Sequence, residues 1–323
     1  MRLLGTTALF GPAIASAQPG PVRSIGWLSL RSPDTQTEKS VVAAFRQGLS
    51  QTGFVEGKNL AIEFRFGEGN YDRLPALAAD LVKRQVALIV TSGGTQLARI
   101  AQAATTTIPI VFAAAGDPVQ EGVVKSFNRP GGNTTGTYLM NNGLGPKRLE
   151  VIRELVPNVR AIGFLVNSNG PTTEGQIRLM RTAAEAVATQ VQVLEASNAA
   201  EIDAAFAALA ARRVDALVMG ADPLFQVHLD QVIALAARYR IPTIYEWPEF
   251  VKAGGLVAYA TDRIEMLRQL GVYAGRILNG AKPAELPIMQ PTKFDLAVNL
   301  KTANALGLKI PESFLRLADE VIE

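Results

Sequence analysis

Ala87-Leu88-Ile89-Val90-Thr91 runs directly into Ser92-Gly93-Gly94-Thr95, and residues 96–104 then follow with a helical apolar pattern. This stretch decides the fold. Five consecutive apolar or β-branched residues are too few for a helix. They also lack the polar alternation of a strand with one wet face, so they mark a strand covered on both sides. Strand, short polar loop and helix in immediate succession form one unit of an α/β protein with a parallel sheet.

Read outward from there, the same unit recurs. Strands are expected at residues 24–30, 59–66, 108–113 and 133–139, with helices at 35–51 and 72–83. On the second of these helices Leu74, Leu77, Ala78 and Leu81 share one face. A second series has strands at 161–167, 190–195, 214–220, 242–245 and 256–260. Its helices fall at 146–155, 175–188, 201–211, 224–239 and 263–279, and an extended stretch at 293–300 precedes a short helical tail. Strands alternating with helices imply parallel sheets with helices on both faces. Two series of similar size, breaking near residues 141–146, imply two doubly wound α/β lobes. Pro146 begins a helix carrying Lys147, Arg148 and Glu150 that leads from one lobe to the other. The expected division is 18–142 with 262–290 for one lobe and 143–261 with 291–323 for the other. Crossovers fall near 141–145, 260–263 and 287–292.

In an open parallel sheet, ligands bind beyond the carboxyl ends of the strands. The loops at those ends hold the candidate contacts, namely Ser32, Ser92, Gly93, Thr95, Asp117 and Asn141 from the first series and Asp222, Tyr245 and Tyr259 from the second. The first set offers hydroxyls and helix-start N–H groups to a charged ligand end. The second offers a carboxylate for an amine and an aromatic wall. Each residue alone has a plainer reading. Ser92, Thr95, Asp117 and Asp222 also suit helix N-caps, and Tyr245, Trp247, Phe225 and Tyr259 also suit lobe cores. Glu246 and Glu249 read as a solvated rim pair.

Composition narrows the chemistry. Of 323 residues, 48% are hydrophobic and 19% charged, enough for two cores. Formal net charge is +3, from 32 basic and 29 acidic residues, with no long basic run, so no nucleic-acid partner is expected. There is no Cys, and His228 is the single His. That removes thiolate chemistry and multi-His metal sites, and His228 falls on a predicted helix as a surface or packing residue. Gly67-Glu68-Gly69 lacks a third glycine, and the glycines of residues 129–136 lead into a strand, so neither is a nucleotide signature. No cofactor and no metal are expected. Arg2, a short apolar core and Ala15-Ser16-Ala17 form the pattern of a secretory signal peptide, residues 1–17, with cleavage before Gln18.

Phe45-Arg46-Gln47-Gly48-Leu49, Gly53-Phe54-Val55-Glu56-Gly57-Lys58-Asn59-Leu60, Thr105 through Phe112, Asp117-Pro118-Val119 and Arg129 through Gly136 stand in an order that resembles the ABC transporter substrate-binding protein family. That family includes the tryptophan/tyrosine-type binding proteins. The likeness continues through Lys147-Arg148-Leu149-Glu150, Gly254-Gly255-Leu256 and the tail from Gly280 to Glu323. It implies a type I periplasmic-binding-protein fold and no catalysis. It further implies a soluble, monomeric periplasmic receptor that delivers a small organic ligand, such as an aromatic or branched amino acid or a related carboxylate, to an inner-membrane permease. A periplasmic sensor feeding a membrane receptor is the alternative, and an enzyme on the same α/β frame stands third. One departure is Val257-Ala258-Tyr259-Ala260, where the family often has Tyr-Gly. Arg31, Ser92 and Trp247 occupy positions expected to vary with the ligand.

Overall fold

The computed structural model describes residues 22–323, so the expected signal peptide lies outside the described residues. Strands β1 (Arg23–Ser29), β2 (Leu60–Phe66), β3 (Leu88–Ser92), β4 (Ile110–Ala114) and β5 (Thr134–Tyr138) form a parallel sheet in the order β2-β1-β3-β4-β5. Its helices are α1 (Gln36–Ser50), α2 (Leu74–Lys83) and α3 (Thr95–Ala104). The second sheet contains β6 (Ala161–Val166), β7 (Gln190–Glu195), β8 (Ala216–Met219), β9 (Thr243–Tyr245), β10 (Val257–Thr261), β11 (Phe294–Asn299) and β12 (Glu320–Ile322). The order is β12-β11-β10-β9-β8-β6-β7, parallel except where β11 runs against β10. Around it lie α4 (Gly145–Leu155), α5 (Thr173–Ala186), α6 (Ala199–Ala211), α7 (Pro223–Val227), α8 (Leu229–Arg238), α9 (Pro248–Lys252), α11 (Leu300–Leu306) and α12 (Glu312–Leu315). The remaining helix, α10 (Arg263–Leu278), returns to the first sheet.

Strand alternation explains the layers. On β3, Leu88 and Val90 pack with Trp27, Phe45 and the α10 residues Leu267 and Leu270, whereas Ile89 packs with Leu74, Leu81 and Leu97 of the opposite helix layer. Every residue of β3 and β4 is buried, as a strand flanked by two helix layers requires. The second sheet divides in the same way. Leu165, Leu217 and Tyr245 face α6, α8 and α9, while Phe164, Val218 and Ile244 face α4 and α5.

Helix α10 is drawn to the first sheet by close approach to α1. A Cβ on Gly48 would overlap the carbonyl oxygen of Arg268, and one on Gly271 would overlap that of Phe45. The two helices therefore meet backbone to backbone. The chain passes between the sheets three times. The first passage runs from β5 through a 3₁₀ turn at Asn141–Leu144 into α4, and the second from β10 into α10. The third follows Met289, which pairs alongside β5, and leads into β11. The Tyr138 N–H donates to the Met289 carbonyl at 2.8 Å.

Two details depart from the sequence reading. The helix expected over 224–239 is two, α7 and α8, joined at His228, whose N–H donates to the Leu224 carbonyl and whose carbonyl accepts from Val232 N–H. Helix α9 and strand β12 went unread, since five and three residues are too short to show a period. Among the described residues no helix is long and apolar enough to cross a membrane.

Candidate functional site between the two sheets

The carboxyl ends of the two sheets face each other across a cavity of about 110 Å³. From the first sheet come Arg31 after β1, residues 92–96 after β3, and Ala115 and Gly116 after β4. From the second come Pro171 and Thr172 before α5, residues 221–223 after β8, and Glu246 and Trp247 after β9. Asn141, Asn142 and Arg263 close it at the crossings.

Helix α3 supplies one wall. Gly93 and Gly94 have φ of 136° and 111°, values open to glycine and strained for other residues. They let the chain turn sharply from β3, so that α3 begins at the cavity. Its N-cap, Gly94, carries no side-chain cap, which leaves the first-turn N–H groups at Thr95 and Gln96 for an anion. The Thr95 hydroxyl is already given to the Glu121 carboxylate. Ser92, 3% exposed, lies 3.5 Å from an Arg31 guanidinium nitrogen. Burial lowers the pKa of Arg31, and Glu38 at 3.7 Å opposes that effect.

The facing wall is acidic. Asp222 accepts from Leu224 N–H and from the Asn167 amide, both at 2.9 Å and both on Oδ1, so Oδ2 stays open to a further donor. Burial raises its pKa. Glu246 is 2% exposed. Its Oε2 accepts from the Asn141 amide at 3.2 Å, and its Oε1 has no partner. Burial, partly opposed by Arg148 and reinforced by Asp222, pushes its pKa up to about 8. Arg148 is itself buried, with its pKa lowered to about 10 by desolvation. It donates to the Asn141 carbonyl at 3.2 Å, to Asn141 Oδ1 and to the Tyr259 carbonyl at 2.9 Å. The Arg263 guanidinium stacks 4.4 Å from the Trp247 ring centroid and pairs with Glu249, while Trp247 Nε1 and Arg263 Nε have no partner.

Of the nine candidate contacts, Ser92, Gly93, Thr95, Asn141 and Asp222 line the cavity. The other four do not. The Ser32 carbonyl accepts the Thr35 hydroxyl in the turn before α1. Asp117 Oδ1 accepts from Val119 and Gln120 N–H at 2.8 and 3.0 Å, as a turn cap. Tyr245 is the last residue of β9 and points into the core, stacked on Phe250 at 4.9 Å, so the next residue, Glu246, is the one that reaches the cavity. Tyr259 stacks on Phe294 outside it. The aromatic lining comes instead from Trp247 and from Tyr71 of the β2–α2 connection. Glu246, read from the sequence as a solvated rim, is buried because α10 and the 3₁₀ turn at Asn141–Leu144 cover it, a tertiary fact with no local signature. Arg31, Glu246 and Trp247 all stand in post-strand loops, so that signal was present. Tyr71, Gln96 and Arg263 carried none.

Two parallel-sheet lobes whose strand ends meet over one cavity, with three chain passages beside it, define the type I periplasmic-binding-protein fold. The chain belongs to the family of ABC transporter substrate binding proteins, whose sequence pattern matches residues 34–322, and this is a family of binding proteins rather than enzymes. It is similar to a tyrosine-binding protein of Clostridioides difficile (strain R20291), 27% identical over 267 residues, 82% of this chain and 76% of that one. Among solved structures it matches an ABC domain in complex with L-Trp from Streptococcus pneumonia, with TM-score 0.84 and 27% identity over 93% of this chain and 99% of that chain. It also matches a ligand-free, open substrate binding protein with adhesive properties from Clostridium difficile, with TM-score 0.71 and 24% identity over 93% and 99%.

Proposed function

We propose that this protein is the periplasmic receptor of an ABC importer, that it captures a free amino acid in the cavity between its lobes, and that it delivers the amino acid to an inner-membrane permease. One observation carries the reading. Polar character is divided across the cavity, with Arg31 and the uncapped α3 N-terminus on the side of the first sheet and the open oxygen of Asp222 on the side of the second. A zwitterion satisfies both walls, and a neutral ligand leaves both desolvated. The α-carboxylate goes to the α3 amides and Ser92, and the α-ammonium to Asp222. Tyrosine and tryptophan, the ligands named for the relatives, are the first to test. The lobes divide at 18–142 with 262–290 and at 143–261 with 291–323, the mature chain begins near Gln18, and it acts as a monomer. Native mass spectrometry of periplasmic protein, then titration calorimetry with the twenty amino acids, tests the reading. One or more should bind in the micromolar range or tighter with a stoichiometry of one. Silence across the panel would defeat the amino-acid assignment.

A further inference from the structure

We propose that Glu246 is a specificity-determining residue of the cavity. Its free carboxylate oxygen receives a hydrogen bond from the ligand's side chain, so the site selects amino acids whose side chains carry O–H or N–H over their hydrocarbon counterparts. This rests on the amino-acid reading above.

The wall holds two carboxylates, whereas an amino acid brings one ammonium. Asp222 is the better partner for that ammonium. It lies close enough to Tyr71, on the first lobe, to disturb its ionisation, as Arg31 also does, which places Asp222 at the end of the cavity where the α3 amides take the carboxylate. An α-carboxylate and an α-ammonium sit on one carbon, so both belong at that end. Glu246 stands on the same wall, close enough to Asp222 to feel its charge, and is bonded to Asn141 of the first chain passage.

Among the described residues no group closes a hydrogen bond on Oε1, although the Gln226 side chain of α7 lies near enough to lower the carboxyl's pKa. The charged groups around it are Arg148 from α4, Arg263 from α10, Arg31 from the β1–α1 loop and Asp222 from the β8–α7 loop. Arg148 is committed to Asn141 and the Tyr259 carbonyl, Arg263 to Glu249 and the Trp247 ring, and Arg31 to Glu38 and Ser92. Asp222 has only acceptors to offer when ionised. Oε1 is therefore a buried acceptor facing the cavity with no partner, a situation folded proteins rarely retain without use. Burial keeps the group mostly as the neutral carboxyl below about pH 8, able to donate as well as accept, and it becomes acceptor only above that pH.

Calorimetry on the full-length mature chain with two near-isosteric pairs, L-tyrosine against L-phenylalanine and L-threonine against L-valine, tests this on the wild type and on Glu246→Gln. In any pair that binds, the hydroxyl member should be preferred by roughly tenfold or more. In Glu246→Gln the Asn141 amide holds the Gln oxygen and turns an NH₂ toward the ligand, so the preference should collapse toward unity. A measurement without any variant stands beside it. The wild-type preference should widen from pH 6 to pH 8.5, as Glu246 becomes acceptor only. Equal affinities within a pair, an undiminished preference in a folded Glu246→Gln protein, or a preference that shrinks as pH rises would each overturn the role of Glu246 and leave the amino-acid reading standing. No binding by any of the twenty amino acids would remove both.

Discussion

Asp117 and Asp222 look alike in sequence, each preceding a proline after a strand, and the structure separates them. Asp117 serves only its own turn, through two backbone N–H groups. Asp222 caps α7 with one oxygen and keeps the other at the cavity wall. Asp117→Ala should lower stability by about 1 kcal/mol and leave affinity for the identified ligand unchanged. Asp222→Asn keeps the capping oxygen but removes the charge, so it should weaken that ligand roughly ten- to a hundredfold at near-constant melting temperature. Calorimetry and thermal melts on both variants check the contrast. Glu246 gives a pH signature. Its folded pKa, near 8, stands above the value near 4.5 of the unfolded chain. Between those limits the folded state holds a proton that the unfolded state has lost, so this group's contribution to stability falls as pH rises from about 4.5 to 8 and is level outside that window. Melting temperatures at pH 5 and pH 8 should therefore differ less in Glu246→Gln than in the wild type. At this scale the sequence was half informative. It marked which loops reach the cavity, because strand ends are legible. It could not tell which residue of a loop turns inward, because a one-residue offset sends Tyr245 to the core and Glu246 to the cavity.

Among the elements, the α1–α10 contact is the one that a chain-order reading cannot supply. The helix of residues 263–279 follows the second series in chain order, and α10 covers the first sheet, as the expected division of 262–290 to the first lobe requires; what the pattern does not show is how closely it meets α1. The cause is a pair of glycines, Gly48 and Gly271, which let the two backbones touch. On propensity alone, Ala at a mid-helix position gains about 1 kcal/mol over Gly. Here the added methyl meets a carbonyl oxygen that cannot move without parting the helices, so the sign reverses. Gly48→Ala and Gly271→Ala should each destabilise by about 1–3 kcal/mol, read from urea midpoints at constant slope. The strands themselves were largely legible. β3 and β4 are fully buried and announce themselves as unbroken apolar runs, and β7 matches its expected span of 190–195. What escaped were the junctions, such as the break at His228, where two short helices share one continuous apolar face.

At the scale of the whole molecule, the two lobes are held together on one side only. Among the described residues, no hydrogen bond runs directly from residues 92–96 to residues 221–226 across the cavity; the contacts between lobes cluster at the chain passages. Arg263 at the start of α10 reaches Glu249 and Trp247 of the second lobe, Asn141 reaches Glu246, and the Thr261 hydroxyl reaches the Leu139 carbonyl. A molecule built this way opens readily at the mouth unless something bridges the walls. Opening also rehydrates Asp222 and Glu246, each of which keeps one carboxyl oxygen without a protein partner in the closed form. On the amino-acid reading proposed above, a bound zwitterion would supply partners to both walls at once and bind the closed form far better than the open one, and that differential affinity would set the closure. Small-angle scattering should therefore give a larger radius of gyration for ligand-free protein than this compact form implies, falling on saturation with the ligand found by calorimetry. Asp222→Asn should need proportionately more ligand to reach the same contraction. A radius that is already minimal without ligand and does not change on saturation would show that the lobes stay closed by themselves, and the bridging role assigned to the two charged walls would be wrong.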